Sequence, residues 1–225
     1  MSGYGFDYHG LQLVARGSGA LWWPEGRWLV VADLHLGKSE RLARRGGPLL
    51  PPYEGVATLE RLAAEVAVLN PACVVSLGDA FDDMGAVAAL EPEILCGVQA
   101  LAQGRDWIWI AGNHDPEGPQ GLPGRVCRQL ALGQAVLCHE PCSELREAQI
   151  CGHFHPVVRL AGERRRAFLL GARRLILPAF GVYTGGLAWD EPALAAEVPR
   201  GLAVACGPRP LVLPVGLPQG RLRRR

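Results

Sequence analysis

Most histidines of this chain lie in short polar blocks, each of which directly follows an apolar run. Five of the six histidines belong to such blocks, together with aspartates, an asparagine and glycine turns. Each pattern predicts a strand that ends and presents polar side chains from the following loop. Oxygen and imidazole ligands from several strand ends suit a pair of divalent first-row metal ions, as in a two-metal hydrolase. The blocks read Asp33-Leu34-His35, Gly78-Asp79 with Asp82 and Asp83 after it, Gly112-Asn113-His114-Asp115, Cys138-His139-Glu140, and Gly152-His153-Phe154-His155.

The side chains of these blocks indicate which chemistry each can supply. Asp33 and His35, separated by one residue, can chelate one ion, and Asp79 has two oxygens that can bridge two ions. Two ions about 3.5 to 4 Å apart can lower the pKa of a bridging water and hold the attacking and leaving oxygens of a phosphate ester for in-line attack. The other candidate donors are one amide oxygen and three imidazoles, those of Asn113, His139, His153 and His155.

His114 adjoins a candidate ligand without being needed as one. It is well placed to protonate the leaving oxygen or to stabilise charge on the phosphoryl oxygens. For Asp83 and Asp115 we expect a role in capping turns or orienting ligands rather than in binding metal.

The first half of the chain predicts alternating strands and helices. The apolar spacing from Val56 to Leu69 is helical, and Asn70-Pro71 ends that helix. A helix is also expected between 87 and 103, which Pro92 must either start or break. The remaining elements expected here are strands at 11–14, 20–23, 27–32, 72–77 and 107–111, and a short basic helix at 36–45.

From residue 126 onward the pattern changes to short apolar runs with little helix between them. A chain that begins with β-α-β units and ends rich in β predicts an α/β fold of two sheets packed face to face, with helices outside. No internal repeat or linker is visible, so we predict one domain over residues 1–225 with a frayed basic tail at Arg221 to Arg225. The late strands are predicted at 126–132, 135–138, 149–151, 157–160, 167–170 and 174–177.

The composition is that of an ordinary globular protein. The 225 residues are 49% apolar and 20% charged, and no uninterrupted apolar stretch reaches the roughly 18 residues of a membrane span. The opening residues also lack a basic segment that leads into an apolar one, so we expect a cytoplasmic protein without a membrane anchor. The seven cysteines are an odd set without a C-x-x-C pair, and no disulfide framework is expected.

The order of the polar blocks is that of the calcineurin-like metallophosphoesterases. The motifs D-x-H, G-D, G-N-H-D, H and G-H-x-H occur in this order between residues 33 and 155, and the chain therefore resembles that family. Any one motif alone would be weak, whereas all five in order are specific. The resemblance implies an α/β/β/α fold, a two-sheet β-sandwich flanked by helices, and the hydrolysis of phosphate ester bonds.

The same resemblance implies how two metal ions share the ligands. His114 would be the catalytic histidine. Ligands of this mixed type accept manganese, iron or zinc. One ion would be held by Asp33, His35, Asp79 and His155, and the other by Asp79, Asn113, His139 and His153.

Two local segments also resemble the bacterial ligase-associated DNA damage response endonucleases. They are DLHLGK at 33–38 and LPAFGVYTGG at 177–186. This likeness implies manganese-dependent cleavage of DNA in functional association with a DNA ligase and a helicase. One position departs from the group, since Asp82 stands where a histidine is expected in its G-D-x-x-H segment. We expect Asp82 to lie outside the coordination sphere or to face substrate.

Positive charge is distributed unevenly along the chain. The formal net charge is only +1, but arginines cluster within 41–45, at 164–166 and at 221–225. The basic helix after the first block either contacts phosphate or is a solvated face. Several phosphate contacts outside a metal centre would suit a polymer better than a small ester. The candidate phosphate-binding residues of this helix are Lys38, Arg41, Arg44 and Arg45.

Two aromatic features have a structural interpretation as well as a functional one. Trp22, Trp23 and Trp28 lie in strand-like runs, which favours core packing over stacking on bases. The glycine-rich segment from Phe180 to Gly186 predicts a turn near the metal-bearing loops.

Three functions remain open from the sequence. The favoured one is a manganese-dependent DNA endonuclease or phosphodiesterase of DNA repair, with single-stranded DNA as the preferred substrate. The second is a phosphoesterase for a nucleotide or cyclic nucleotide, which would use the same metal centre without the basic helix. The third is a non-catalytic scaffold, and the intact ligand set argues against it. The oligomeric state is not predicted.

Overall fold

The computed structural model describes residues 2–44, 46, 53–82, 87 and 90–216. Arg45, Asp83 and the predicted tail from Arg221 to Arg225 lie outside these residues, and only the backbone of Arg44 lies within them.

Within the described residues, seven strands form the first sheet, in the spatial order β1 to β7. The strands β1 to β4 pair antiparallel in a meander, whereas β4, β5, β6 and β7 run parallel. Their bounds are β1 Gly3–Tyr8, β2 Leu11–Arg16, β3 Leu21–Trp23, β4 Trp28–Val31, β5 Cys73–Leu77, β6 Asp106–Ile110 and β7 Arg125–Cys127.

The second sheet follows the order β15-β14-β12-β13-β10-β9-β8, with β11 paired to β12. Within it β9, β10 and β13 are parallel, and the other pairs are antiparallel. The bounds are β8 Gln129–Leu132, β9 Ala135–Cys138, β10 Ala148–Cys151, β11 Val157–Leu160, β12 Glu163–Gly171, β13 Arg174–Ile176, β14 Gly201–Ala205 and β15 Leu211–Val215.

Helices cover the outer face of each sheet. Three helices, α1 (Lys38–Arg44), α2 (Glu54–Leu69) and α3 (Pro92–Ala102), follow strands of the first sheet, and α4 (Pro192–Glu197) lies on the second. Helices α2 and α3 bury apolar stripes against the first sheet, and α4 buries Leu194 against the second. As predicted, α2 ends at Asn70, a left-handed cap with φ 44°. Of the two roles left open for Pro92, the structure shows the first, since Pro92 starts α3.

A continuous apolar core fills the space between the sheets. Strands such as β5 are buried on both faces, because Val75 points to this core while Val74 points to the helices. The arrangement of helix, sheet, sheet and helix confirms the predicted fold class. Contributors to the core between the sheets include Leu13, Val75 and Ile108 from the first sheet and Leu137, Ile150 and Phe168 from the second.

The prediction of one strand over 126–132 was wrong. The chain leaves the first sheet at the end of β7, passes Arg128, and enters the second sheet at Gln129. Arg128 and Gln129 interrupt the apolar residues where the chain passes from one sheet to the other. Sequence periodicity does not indicate which sheet a strand joins.

Four elements were not predicted: β1, α4, β14 and β15. In β1 the glycines at Gly3 and Gly5 alternate with partly buried Tyr4 and Phe6, so that a glycine-rich stretch forms an edge strand by pairing with β2. Strand β15 contains Pro214, which an edge strand tolerates because its N–H side needs no partner.

The tryptophans pack as predicted. Trp22 is buried against the helices, and Trp23 and Trp28 meet edge to face with ring centroids 5.9 Å apart. The seven cysteines are free. In the part of the chain that the structure describes, no helix is both long and apolar enough to cross a bilayer.

The buried core predicts a large cost for Leu13→Ala. Leu13 is 1% exposed between the sheets, so the substitution should lower the free energy of unfolding by about 2–5 kcal/mol. Leu211→Ala, at a side chain that is 46% exposed on the edge strand β15, is the matched control and should change it by about 0.5 kcal/mol or less. Urea denaturation would measure both. Equal midpoints would contradict the assignment of Leu13 to the core.

Candidate metal centre

The parallel strands of both sheets end at one edge of the sandwich. In the first sheet β4, β5 and β6 are neighbours, and the loops after them carry Asp33, Asp79 and Asn113. In the second sheet β9 and β10 are neighbours, and the residues after them include His139 and His153. Because parallel strands end on the same side of a sheet, each sheet gathers its donors at one edge.

Backbone hydrogen bonds fasten these loops to one another. The N–H of His35 donates to the carbonyl of Asp79 at 2.9 Å, which joins the loops after β4 and β5. The N–H of His153 donates to Asp33 Oδ2 at 3.0 Å and so joins the second sheet to the first. The donors are therefore held by the two sheets together.

Five of the candidate ligands adopt a left-handed backbone. Their φ angles lie between 44° and 70°, a region that is costly for side chains other than glycine and less so for aspartate, asparagine and histidine. The hydrogen bonds between the loops hold this conformation, which turns the side chains towards a common point. These residues are Asp33, His35, Asp79, His153 and His155.

Neighbouring residues leave no room for a side chain at glycines of the sequence blocks, Gly78 and Gly112 among them. A Cβ added at Gly78 would collide with the ring of His139, and one added at Gly112 would collide with Asp79. The glycine in the G-D and G-N blocks therefore lets the ligands of adjacent loops approach each other.

The first group of donors is Asp33, His35 and His155, whose ligand atoms lie within 4.8 Å of one another. His155 Nε2 is 3.4 Å from both His35 Nε2 and Asp33 Oδ1. Two imidazole nitrogens and a carboxylate oxygen that converge in this way suit a divalent cation.

The second group is Asp79, His139 and His153, again within 4.8 Å. Asn113 Oδ1 joins it, at 2.9 Å from His139 Nε2 and 3.1 Å from His153 Nδ1. His139 Nδ1 lies 3.2 Å from the carbonyl of Leu77. Because a carbonyl only accepts, that ring nitrogen donates and Nε2 is left as the ligand atom.

The two groups adjoin each other, since His139 Nδ1 is 3.7 Å from Asp33 Oδ1. All seven candidate ligands thus lie in these two adjoining groups, and a third set of converging donor atoms, those of His35, Asp82 and His114, overlaps the first. The division of the ligands between two ions stays a prediction. The structure places Asp79 in the second group, and its bridging of two ions stays a prediction.

The electrostatics of the centre favour positive charge. Burial lowers the pKa of His139, but the hydrogen bond with Asp79 and the charges of Asp33 and Asp79 outweigh it and raise the pKa to about 9. Burial raises the pKa of Asp79, yet His139 and the backbone N–H of His114 bring it to about 2. A site where a carboxylate stays ionised and positive charge is stabilised is suited to bind divalent cations.

His114 lies at the mouth of the centre with about a third of its side chain exposed. Its Nε2 is 4.0 Å from Asp79 Oδ2, and its Nδ1 is 2.8 Å from the carbonyl of Asp82. Since that carbonyl only accepts, Nδ1 donates to it and Nε2 faces the centre. A catalytic role for His114 stays a prediction.

Asp82 is buried and contacts a candidate ligand from behind. Its Oδ1 is 3.0 Å from His35 Nδ1, and its Oδ2 pairs with Arg41 Nε. Burial raises the pKa of Asp82, but the hydrogen bonds with His35 and Arg41 outweigh this and lower it. Sequence reasoning placed Asp82 near the ligands but missed the link to Arg41, for which no local motif exists.

Asp115 connects the loops after β5 and β6. Its Oδ1 accepts from the N–H of Gly112 at 3.0 Å and its Oδ2 from the N–H of Phe81 at 3.1 Å. Burial and the charge of Asp79 raise its pKa to about 6. These contacts of Asp115 orient two loops that carry candidate ligands. For the half-buried Lys38 and Arg41, contact with phosphate stays a prediction.

Two cavities adjoin the centre. One, of about 290 Å³, lies beside the second donor group, and Arg128 and Glu140 line it with Asn113 and His139. The other, of about 280 Å³, is lined by Arg164, Arg166 and the segment from Gly181 to Gly186. The sequence patterns did not indicate Arg128 as a site residue, because it lies outside the arginine clusters, where the chain crosses between the sheets.

Solved structures similar to this chain include a nuclease. The crystal structure of Pseudomonas putida nuclease MPE is 28% identical in sequence, with a TM-score of 0.73, over 95% of this chain and 100% of that chain.

Two other similar structures have lower scores. Yfce, a phosphoesterase from E. coli, is 15% identical with a TM-score of 0.39, over 71% of this chain and 83% of that one. A conserved predicted phosphoesterase from Streptococcus pneumoniae is 17% identical with a TM-score of 0.31, over 79% and 80%. No curated protein matched the sequence.

The sequence profile of the calcineurin-like phosphoesterases matches residues 26–157. This range includes all the blocks that supply the two donor groups. The profile and the donor groups together support the binding of divalent metal ions and the hydrolysis of phosphoesters. Because the match covers more than half of the chain, this protein belongs to the calcineurin-like phosphoesterase family.

Proposed function

We propose that this protein is a manganese-dependent endonuclease that cleaves DNA phosphodiesters in DNA repair, with single-stranded DNA as the preferred substrate. The observation that carries the proposal is the similarity to a protein described as a nuclease, which extends over 95% of the chain at 28% identity. Functional association with a DNA ligase and a helicase is part of the proposal, supported by the sequence resemblance alone.

The proposed metal ligands are the two donor groups. Asp33, His35 and His155 would hold one ion and His139, His153 and Asn113 the other, with Asp79 as a ligand shared by both. When bound, two divalent ions lower the pKa of water and neutralise charge on the phosphoryl group. Manganese is proposed because the mixed oxygen and imidazole donors accept it and because of the resemblance to manganese-dependent endonucleases.

His114 is the proposed catalytic acid. The bond from its Nδ1 to the carbonyl of Asp82 fixes the ring, so that a proton on Nε2 is directed towards the metal centre. In the charged imidazole, Nε2 can pass its proton to the leaving oxygen when the phosphodiester bond breaks. The exposed position of His114 allows that oxygen to belong to a long substrate.

A polymer fits the surroundings of the centre better than a small ester. Each donor group adjoins a cavity that contains at least one arginine: Arg128 beside the second group, and Arg164 and Arg166 beside the first. Arginines on both sides of the scissile phosphate would contact neighbouring phosphates of a strand. A mononucleotide has no such neighbours.

Substrate choice tests the proposal directly. The protein, treated with chelator and restored with manganese, would be incubated with end-labelled single-stranded and duplex DNA, a nucleoside monophosphate and a cyclic nucleotide. We expect internal cuts in DNA, faster in single strands, that require both manganese and Asp79. Asp79→Ala should abolish cleavage, whereas Asp190→Ala, at an exposed aspartate, should not. Turnover of the small esters alone would contradict the proposal.

His114→Ala should separate metal binding from turnover. The histidine is not a proposed ligand, so manganese content should stay unchanged while kcat for DNA falls by about 100-fold to 10,000-fold. Metal analysis by mass spectrometry and single-turnover kinetics would measure the two effects. His9→Ala, at an exposed histidine far from the blocks in sequence, is the control, and an unchanged kcat in His114→Ala would remove His114 from the mechanism.

Asp82→Ala should weaken metal binding without removing a ligand. The carboxylate orients His35 through Nδ1, and loss of such a contact lowers metal affinity by about 10-fold to 100-fold. Calorimetric titration with manganese would measure the dissociation constant, with Asp190→Ala as control. The same dissociation constant in Asp82→Ala and wild type would show that the contact does not position the ligand.

A further inference from the structure

The segment from Gly181 to Gly186 is fastened to both loops of the first donor group. The N–H of Gly181 donates to the carbonyl of Asp33 at 3.1 Å, and the N–H of Leu187 donates to the carbonyl of Phe154 at 3.3 Å. Gly186 lies so close to the carbonyl of His155 that a Cβ there would collide with it. The cavity of about 280 Å³ that this segment lines is therefore adjacent to the metal centre.

Two arginines on β12 make this cavity positively charged. Arg164 Nη2 donates to the carbonyl of Gly186, and Arg166 Nη1 donates to the carbonyls of Ala179 and Phe180 at 3.2 and 3.3 Å. These bonds hold the guanidinium groups in place and leave other N–H groups for a ligand. Among the described residues, neither arginine pairs with a carboxylate, and no acidic residue lines the cavity.

A third arginine lies behind the segment. The guanidinium of Arg61 packs over the ring of Phe180, 4.3 Å from its centroid, and two of its buried nitrogens have no hydrogen-bond partner. Burial and the positive charge of Arg166 lower the pKa of Arg61 to about 9. These neighbouring guanidinium groups are not neutralised by a carboxylate among the described residues, and their positive charge favours the binding of an anion in the adjoining cavity.

Tyr183 presents an aromatic ring at the rim of this cavity. It is 50% exposed, and its φ is 59° although it is not glycine. The turn is fixed on both sides, because the N–H of Val182 donates to Thr58 Oγ1 at 3.1 Å and Thr184 Oγ1 donates to the carbonyl of Gly181 at 2.7 Å. The backbone of Tyr183 is strained and held in place while its ring faces solvent, which suits the ring for contact with a ligand.

From this geometry we infer that the cavity binds the nucleotide next to the scissile phosphate in a single strand of DNA. Arg164 and Arg166 contact the backbone phosphate, and Tyr183 stacks on the base. The inference rests on the proposed function and adds to it a site that selects unpaired nucleotides, because a base within a duplex does not offer its face to Tyr183.

The test measures binding separately from cleavage. Fluorescence anisotropy would follow a labelled phosphorothioate-linked oligothymidylate on the manganese-loaded protein over a series of salt concentrations, since this probe keeps its charges but resists hydrolysis. Turnover of bis(p-nitrophenyl) phosphate, a small diester, would report whether the metal centre is intact in each variant.

Arg164→Ala and Tyr183→Ala should weaken binding in different ways. Loss of one phosphate contact should reduce the slope of log affinity against log salt by about 0.7 for a single strand. Loss of stacking should weaken binding by about fivefold or more with no change in this slope. Small-diester turnover in both variants, compared with that of Arg165→Ala, reports whether the metal centre is intact.

Two control variants, one for each of these substitutions, lie at the same or a neighbouring position in the chain. Arg165→Ala removes the same charge from the same strand, but Arg165 pairs with Glu163 and does not line the cavity, so binding should be unchanged. Tyr183→Phe keeps the ring and should bind as the wild type does. An equal effect of Arg165→Ala and Arg164→Ala would overturn the inference.

The inference and the proposed function fail in distinguishable ways. If the wild type cuts DNA but Arg164→Ala and Tyr183→Ala bind the probe unchanged, the inference is wrong and the proposed function stands. If the wild type binds the probe through these residues but never cuts DNA, the proposed function is wrong. A loss of small-diester turnover equal to the loss of binding, or no binding by the wild type, would also overturn the inference.

Discussion

Two buried carboxylates that converge on one imidazole are the constraint on which the rest of the structure depends. Asp33 and Asp79 are 0% and 2% exposed, and His139 approaches both. Such an arrangement is unfavourable unless positive charge lies among the carboxylates. Parallel strands that end together, candidate ligands with a left-handed backbone and glycines without space for a Cβ all bring imidazole and amide donors to this point. The scaffold thus concentrates the donors that a pair of cations requires.

The ligand blocks could be predicted from the sequence because each is local. A strand end, a glycine and an aspartate or histidine lie within a few residues, and the structure brings the blocks together at one edge of the sandwich. The strands of the β-α-β half were found for the same reason, since periodicity over one element reflects its own burial. The contact of Arg41 with Asp82 joins residues 41 apart and has no such local signal.

The errors have a common physical origin in contacts between distant parts of the chain. Strands β7 and β8 are separated by a single residue but belong to different sheets, and β1 is a glycine-rich strand that pairs with β2. The segment from Phe180 to Gly186 was predicted to be a turn near the ligands. The cavity that this segment forms with Arg164 and Arg166 depends on the pairing of β12 within the second sheet. No pattern in residues 180–186 indicates that pairing.

Each proposed metal position is divided between the two sheets. The first takes Asp33 and His35 from one sheet and His155 from the other, and the second is divided in the same way. The spacing of the donors is therefore set by the thickness of the apolar layer between the sheets. Close-packed interiors resist compression and transmit strain. Fully buried side chains such as Phe168 separate the two sheets, so a change in their volume would alter the distances between the donors as well as the stability of the fold.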